Sequence, residues 1–121
     1  DGYYIGGAIA PGLRISMDAL VARAARIASI PLETPPHAIG RTTEEAVQSG
    51  AVLGTAAMVE GLVSRIRAEL GAPEARVIAT GGLANIVADS TNVFDVVDGQ
   101  LTLKGICEIA RRMRDRVPRS A

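Results

Sequence analysis

Residues 42–70 constrain the fold more than any other stretch. Val47, Ala51, Gly54, Met58, Leu62, Ile66 and Leu70 recur at spacings of three and four, the period of one helical face. Thr42 with Glu45 three residues later is a capping box at the entry. Gly71 stops the pattern and Pro73 follows. At about 1.5 Å per residue the helix would be roughly 40 Å long. A single domain of 121 residues has a radius of gyration of only about 14 Å, so the helix crosses the whole domain or reaches a partner. Gly50, Gly54, Ala57 and Gly61 add a stripe of small residues. Each mid-helix glycine costs about 1 kcal/mol relative to alanine, which predicts a close neighbour. That neighbour is the domain's own sheet or, as the helix length favours, the same helix of a second subunit.

The flanking sequence alternates between strand and helix patterns. Strands are expected over residues 3–10, 75–80 and 93–97. A helix is expected over 13–28, with Leu13, Met17, Leu20, Val21, Ala24 and Ile27 on one face. Others are expected over 83–88 and over 103–116, the last with its apolar face at Leu103, Ile106, Ile109, Ala110 and Met113. Residues 30–37 are a proline-rich connector with room for one short edge strand. This order predicts an α/β layer fold. Asp1-Gly2 is half of a hairpin-type turn, so strand 3–10 is expected to lack its partner. With no initiator Met, the chain reads as a piece of a longer one, with an exposed sheet edge that is an aggregation hazard.

Composition removes several function classes. Thirteen basic residues balance thirteen acidic ones, which argues against a nucleic-acid or membrane-surface partner held by bulk charge. With two Tyr, one Phe and no Trp there are no base-stacking platforms. A single cysteine, Cys107, forms no internal disulfide and fits a reducing compartment; its placement on a helix reads as a small core residue. No apolar run reaches the ~18 residues needed to span a bilayer, and the opening Asp-Gly-Tyr-Tyr is not expected to be a signal peptide. His37 stands alone in its loop, so no metal site is expected. Arg111, Arg112, Arg114, Arg116 and Arg119 suit the negative end of a helix dipole and a solvated tail. There is no phosphate loop ending in Gly-Lys-Ser/Thr, and no hydrolase-like His, Ser and Asp set.

Three segments could carry chemistry. Arg76-Val77-Ile78-Ala79-Thr80-Gly81-Gly82 is an apolar strand that ends in two glycines before a helix. Ligands of open α/β sheets bind at such carboxyl ends, and glycine lets backbone approach a ligand without a Cβ in the way. A tight turn needing positive φ explains the pair equally well. Gly6, Gly7, Pro11 and Gly12 mark a close backbone approach, or more simply a bent strand packed under a helix. In Gly40-Arg41-Thr42-Thr43-Glu44-Glu45, Thr42 acts as the helix cap, which leaves the Thr43 hydroxyl free for a ligand.

Together, YIGGAIAPGL at residues 4–13, GRTTEEAVQSG at 40–50, VIATGGL at 77–83 and LTLKG at 101–105 resemble the type III pantothenate kinases. These belong to the acetate and sugar kinase, Hsp70 and actin superfamily. The segments follow the family's order and spacing over nearly the whole chain. The resemblance implies a ribonuclease H-like (actin-like ATPase) α/β fold, of which residues 1–121 would be the C-terminal half, built on one long central helix. It implies ATP-dependent phosphorylation of pantothenate to 4'-phosphopantothenate, with Mg and K or ammonium, in the cytoplasm. Gly81, Gly82 and Thr80 would line the ATP base and ribose, and Gly7 would border the cleft. Thr43 matches the threonine that reaches pantothenate in the neighbouring subunit, which implies a homodimer through the 42–70 helix. Family members often carry Asn where this chain has Thr42; both cap helices well. The family's Asp-x-Gly-Asn-Thr phosphate motif, its Gly-x-Asp-Arg base motif and its Gly-Thr-Ala segment are not among these residues. No catalytic residue is therefore expected here, and the chain alone is expected to be inactive. The alternatives are a Bvg accessory factor-like regulator without turnover and a stand-alone dimerisation module.

Overall fold

A computed structural model describes residues 2–23 and 30–116. Helix α1 spans Leu13–Arg23 and α2 spans Thr43–Gln48. A single π-helical turn, Ser49–Leu53, leads directly into α3, Gly54–Leu70. Strand β1, Ile78–Ala79, is followed by α4, Ala84–Ala88. Strand β2, Val96–Val97, precedes α5, Leu101–Arg116. The result is an α/β arrangement of a two-stranded parallel sheet and a long central helix. The part of the expected first helix at 24–28, with Ala24 and Ile27, lies outside the described residues, as does Arg119.

The central helix starts and stops where local chemistry dictates. Thr42 is extended, and its hydroxyl accepts from the Glu45 N–H at 3.1 Å. The Glu45 carboxylate reaches back to the Arg41 N–H at 2.7 Å, one residue beyond the usual capping box. At the far end Gly71 adopts φ 61°. Its N–H reaches the Ala68 carbonyl and that of Ala72 the Arg67 carbonyl, the paired bonds of a Schellman stop.

Between these ends a single π turn interrupts the α-helical bonding. Gln48, Val52 and Ala56, four residues apart, share the inward face and are buried. Val52 and Ala56 meet Leu13 of α1 and Val87 of α4, flanked by Leu32, Leu83, Ile86 and Phe94. The stripe expected to be buried lies one residue back and is not the core face. Met58, Ile66 and Leu70 on it are 38%, 42% and 47% exposed. The small-residue stripe is also bare of the chain's own atoms. A Cβ added at Gly50, Gly54 or Gly61 would meet nothing within 4 Å. Among the described residues, no sheet atom lies close to these glycines.

The sheet is smaller than the strand patterns predict. Val77 and Asp95 open it through the Asp95 N–H to Val77 carbonyl bond, and Ile78 pairs with Val96 and Ala79 with Val97. Residues 75–77, 80 and 93–95 stay outside the strands. Residues 3–10 form no strand, because an alternating pattern becomes a strand only against a ladder partner. Among the described residues none pairs with this segment, and Ile9 is fully exposed. The 30–37 connector likewise contributes no strand. Helix α5 forms as expected, but its apolar face is uncovered: Leu103, Ile106, Ile109 and Met113 are all exposed. Cys107 is exposed as well, not a core residue. Arg111 and Arg112 bracket Glu108 in ion pairs, which hold its carboxyl below the usual range and raise the Arg111 guanidinium.

Thr43–Leu70 is long and apolar enough, by length and composition only, to cross a membrane. No uninterrupted apolar run underlies this, since Gln48, Ser49, Thr55 and Glu60 interrupt it. Its inward face packs on α1 and α4 as the spine of the fold.

Candidate functional site

Both strands run parallel, so their carboxyl ends share one edge. There the chain leaves β1 through Thr80, Gly81 and Gly82, and the Ala84 N–H bonds the Gly81 carbonyl at 3.2 Å to start α4. Gly81 has φ +108°, a conformation L side chains rarely adopt, so the backbone itself requires glycine here. Gly82 is different: its φ is ordinary and an added Cβ would meet nothing within 4 Å. Nothing within the described chain demands glycine at that position. The turn forms one wall of an open cleft of about 470 Å³, faced by Gly12 and Leu13 at the start of α1, Thr55 and Val59 of the central helix, and Phe94. The Thr80 side chain makes no hydrogen bond among the described residues, which leaves its hydroxyl available to the cleft.

On the same edge, Asp98 follows β2 and its N–H bonds the Ala79 carbonyl at 2.8 Å. Its carboxylate accepts from Lys104 at 2.7 Å and from the Gln100 N–H at 3.0 Å. These two donors hold its carboxyl below the usual carboxylate range. Beneath the sheet, Arg67 donates twice to the Ala75 carbonyl, at 3.0 and 2.6 Å, and lies 3.7 Å from Asp95, which accepts the Val77 N–H. These contacts anchor the strand that ends in the glycine turn.

Thr43 lies elsewhere. It is the first residue of α2, it is exposed, and the neighbouring Thr42 takes the cap. It borders a separate concavity of about 490 Å³ with Met17 and Leu20 of α1 and Gly50 of the π turn. The concavity that Thr43 lines is not the one that the glycine turn lines. Gly7 borders a third, against Leu62, Ile66 and Leu70 of α3. The structure thus joins Thr80, Gly81 and Gly82, and keeps Thr43 and Gly7 apart from them.

Three residues near Thr43 escaped the sequence reading of roles. Gln48 donates to the Pro31 carbonyl at 3.0 Å, and Ser49 to the Ala38 carbonyl at 2.6 Å. A Cβ at Gly40 would lie 2.2 Å from the Ala46 nitrogen. Only the Gln-Ser-Gly run within an otherwise apolar pattern hinted at these contacts.

The sequence model of the family described as "Type III pantothenate kinase" matches residues 1–65. The chain is also similar to proteins named type III pantothenate kinase from three bacteria. It is 54% identical to that of Thermomicrobium roseum over 93% of this chain and 43% of the relative. It is 51% identical to that of Roseiflexus sp. (strain RS-1), over 88% of this chain and 41% of the relative. With that of Zymomonas mobilis the identity is 50%, over 87% of this chain and 38% of the relative. The chain therefore spans about two fifths of the length of these relatives.

Proposed function

The chain belongs to the type III pantothenate kinase family, and on that premise we propose that it is the C-terminal domain of an enzyme that transfers the γ-phosphoryl group of ATP to the primary hydroxyl of pantothenate, opening coenzyme A synthesis. The observation that carries the reading is the glycine turn at the sheet's carboxyl edge. Gly81 is fixed by its φ, whereas Gly82 has no internal reason to lack a side chain. Close approach of a flat, polar ligand supplies that reason. Thr80, Gly81 and Gly82 then line the base and ribose of ATP, and Gly7 joins them once strand 3–10 pairs into a larger, ribonuclease H-like sheet.

Thr43 serves a second copy. Its hydroxyl makes no hydrogen bond among the described residues, and the concavity it lines is separate from that of the glycine turn, which supports this reading. A homodimer through the Thr43–Leu70 helix brings the Thr43 of one copy to the pantothenate of the other. The bare glycine stripe of that helix gives the copies a surface for close approach. Phosphoryl transfer rests on positioning and on stabilising the charge of the moving group. In this division of labour the present residues orient the nucleotide and hold the acceptor; the proton of the pantothenate hydroxyl goes to a base outside these residues. ATP fits the glycine turn. Mg in kinases is held largely by the substrate phosphates with one or two carboxylates, and among the described residues there is no group of three His, Cys, Asp or Glu side chains to hold Mg or the proposed K or ammonium ion by itself. No step is assigned to them in this chain.

The test is an assay of ATP-dependent pantothenate phosphorylation by the full-length protein, with and without potassium. Turnover that needs the monovalent ion is expected, and none from residues 1–121 alone. Thr43→Ala should lower kcat/KM for pantothenate about tenfold, the effect of one lost hydrogen bond of ~1.4 kcal/mol. The KM for ATP should stay within about twofold. Equal loss for both substrates counts against the role of Thr43. Pantothenate binding without turnover points to a non-catalytic regulator instead.

A further inference from the structure

We propose that Gln48 and Ser49 are positioning residues for Thr43, acting through a clamp that ties the 31–41 connector to the first turns of the central helix. This rests on Thr43 being the residue that meets pantothenate. The connector runs straight into Thr42 and Thr43, so wherever it is held, the Thr43 turn is held. Besides a bond from the Thr34 hydroxyl to the Ile86 carbonyl of α4 at 3.4 Å, it is held to the central helix at three points. Gln48, the one polar side chain buried among the described residues, donates to the Pro31 carbonyl at 3.0 Å. Ser49 donates to the Ala38 carbonyl at 2.6 Å. Gly40 lies so close to Ala46 that a Cβ would collide with its backbone.

The helix itself is shaped to make this grip. Gln48 is the last residue of α2 and Ser49 the first of the π turn. At spacings of four, Gln48, Val52 and Ala56 share one face of the helix, and all three are buried there. Thr43, in the first turn of α2 ahead of the π turn, is exposed. One carbonyl of the connector, Pro31, is thus satisfied from the interior and another, Ala38, from the helix flank, while the hydroxyl presented to the partner copy keeps a fixed height and angle. Loss of either bond should loosen the Thr43 turn without touching the glycine turn across α1.

The experiment uses the full-length enzyme with four variants, assayed well below their melting temperatures. Ser49→Ala and Gln48→Met each remove a donor, and Ser49→Thr restores the hydroxyl. Thr43→Ala reports on the underlying reading. Ser49→Ala and Gln48→Met should raise the KM for pantothenate three- to tenfold, with the KM for ATP within about twofold and Ser49→Thr near wild type. If Gln48→Met does not fold, the Ser49 pair decides alone. Parallel changes in both KM values, or no rescue by threonine, overturn the clamp. So does an unchanged pantothenate KM in Ser49→Ala while Thr43→Ala is impaired, and the Thr43 reading then stands. An unimpaired Thr43→Ala enzyme removes the reading and the clamp together.

Discussion

Replacing Gly81 by valine in the full-length protein should cut kcat/KM for ATP by about thirty- to a hundredfold. At φ +108° a β-branched residue is excluded by contact between its Cβ and the flanking backbone. Holding such a residue there costs on the order of 1–3 kcal/mol. The turn would relax by swinging towards an ordinary φ, carrying Thr80 and Gly82 out of the cleft wall. Alanine at Gly82 makes the complementary case. Nothing lies within 4 Å of its Cβ, and its φ is ordinary. The melting temperature should therefore stay within about 2 °C while ATP binding weakens, measured by calorimetric titration with a non-hydrolysable analogue. A Gly82→Ala protein with unchanged nucleotide affinity would remove the ligand-side explanation for the glycine pair.

The second large effect is on stability. Gly40→Ala places a methyl group 2.2 Å from the Ala46 nitrogen, 2.4 Å from its Cα and 2.6 Å from the Glu45 carbonyl carbon. All three are backbone atoms of the first helical turn, and backbone held by helix bonds cannot step aside as a side-chain tip can. Overpacking of this kind costs about 1–3 kcal/mol and sometimes more. The upper end is expected here, a melting temperature lower by roughly 6–10 °C. Thermal denaturation monitored by circular dichroism measures it directly. A shift under about 2 °C would mean that the connector does not lie against the helix as described.

How much of this the sequence disclosed depends on how local each signal is. The central helix was legible because its capping Thr42, its stop at Gly71 and its repeating apolar residues all act within a few positions of themselves. The need for glycine at position 81 was legible for the same reason, as a break after a short apolar strand. The freedom of the Thr43 hydroxyl followed from Thr42 taking the cap. The π turn was not legible, since it answers carbonyls at Pro31 and Ala38 that only folding brings to Gln48 and Ser49. The buried Gln48 and Val52 lie one residue on from the expected Val47 and Ala51, and Met58, Ile66 and Leu70 further along are exposed. Gly40 escaped because a close approach by Ala46 is a tertiary fact with no mark in its own neighbourhood. Residues 3–10 carry a strand's alternation, but alternation records a capacity and the ladder partner decides whether it is realised. The same holds for α5, whose apolar face is legible as a face, while whether it is covered depends on what packs against it. The separation of Gly7 from the glycine turn likewise depends on where residues 2–12 run, which no local pattern fixes.

The account centres on a site shared by two copies, the nucleotide turn from one and the Thr43 hydroxyl from the other. Subunit mixing tests this directly. Full-length Gly81→Val and Thr43→Ala proteins, each impaired alone, are unfolded together, refolded and assayed. In each mixed dimer one site has both its glycine turn and its partner's threonine intact, so random pairing should restore about a quarter of wild-type activity. If the mixture is no more active than the average of the two variants, Thr43 serves its own subunit or none, and the shared site is wrong.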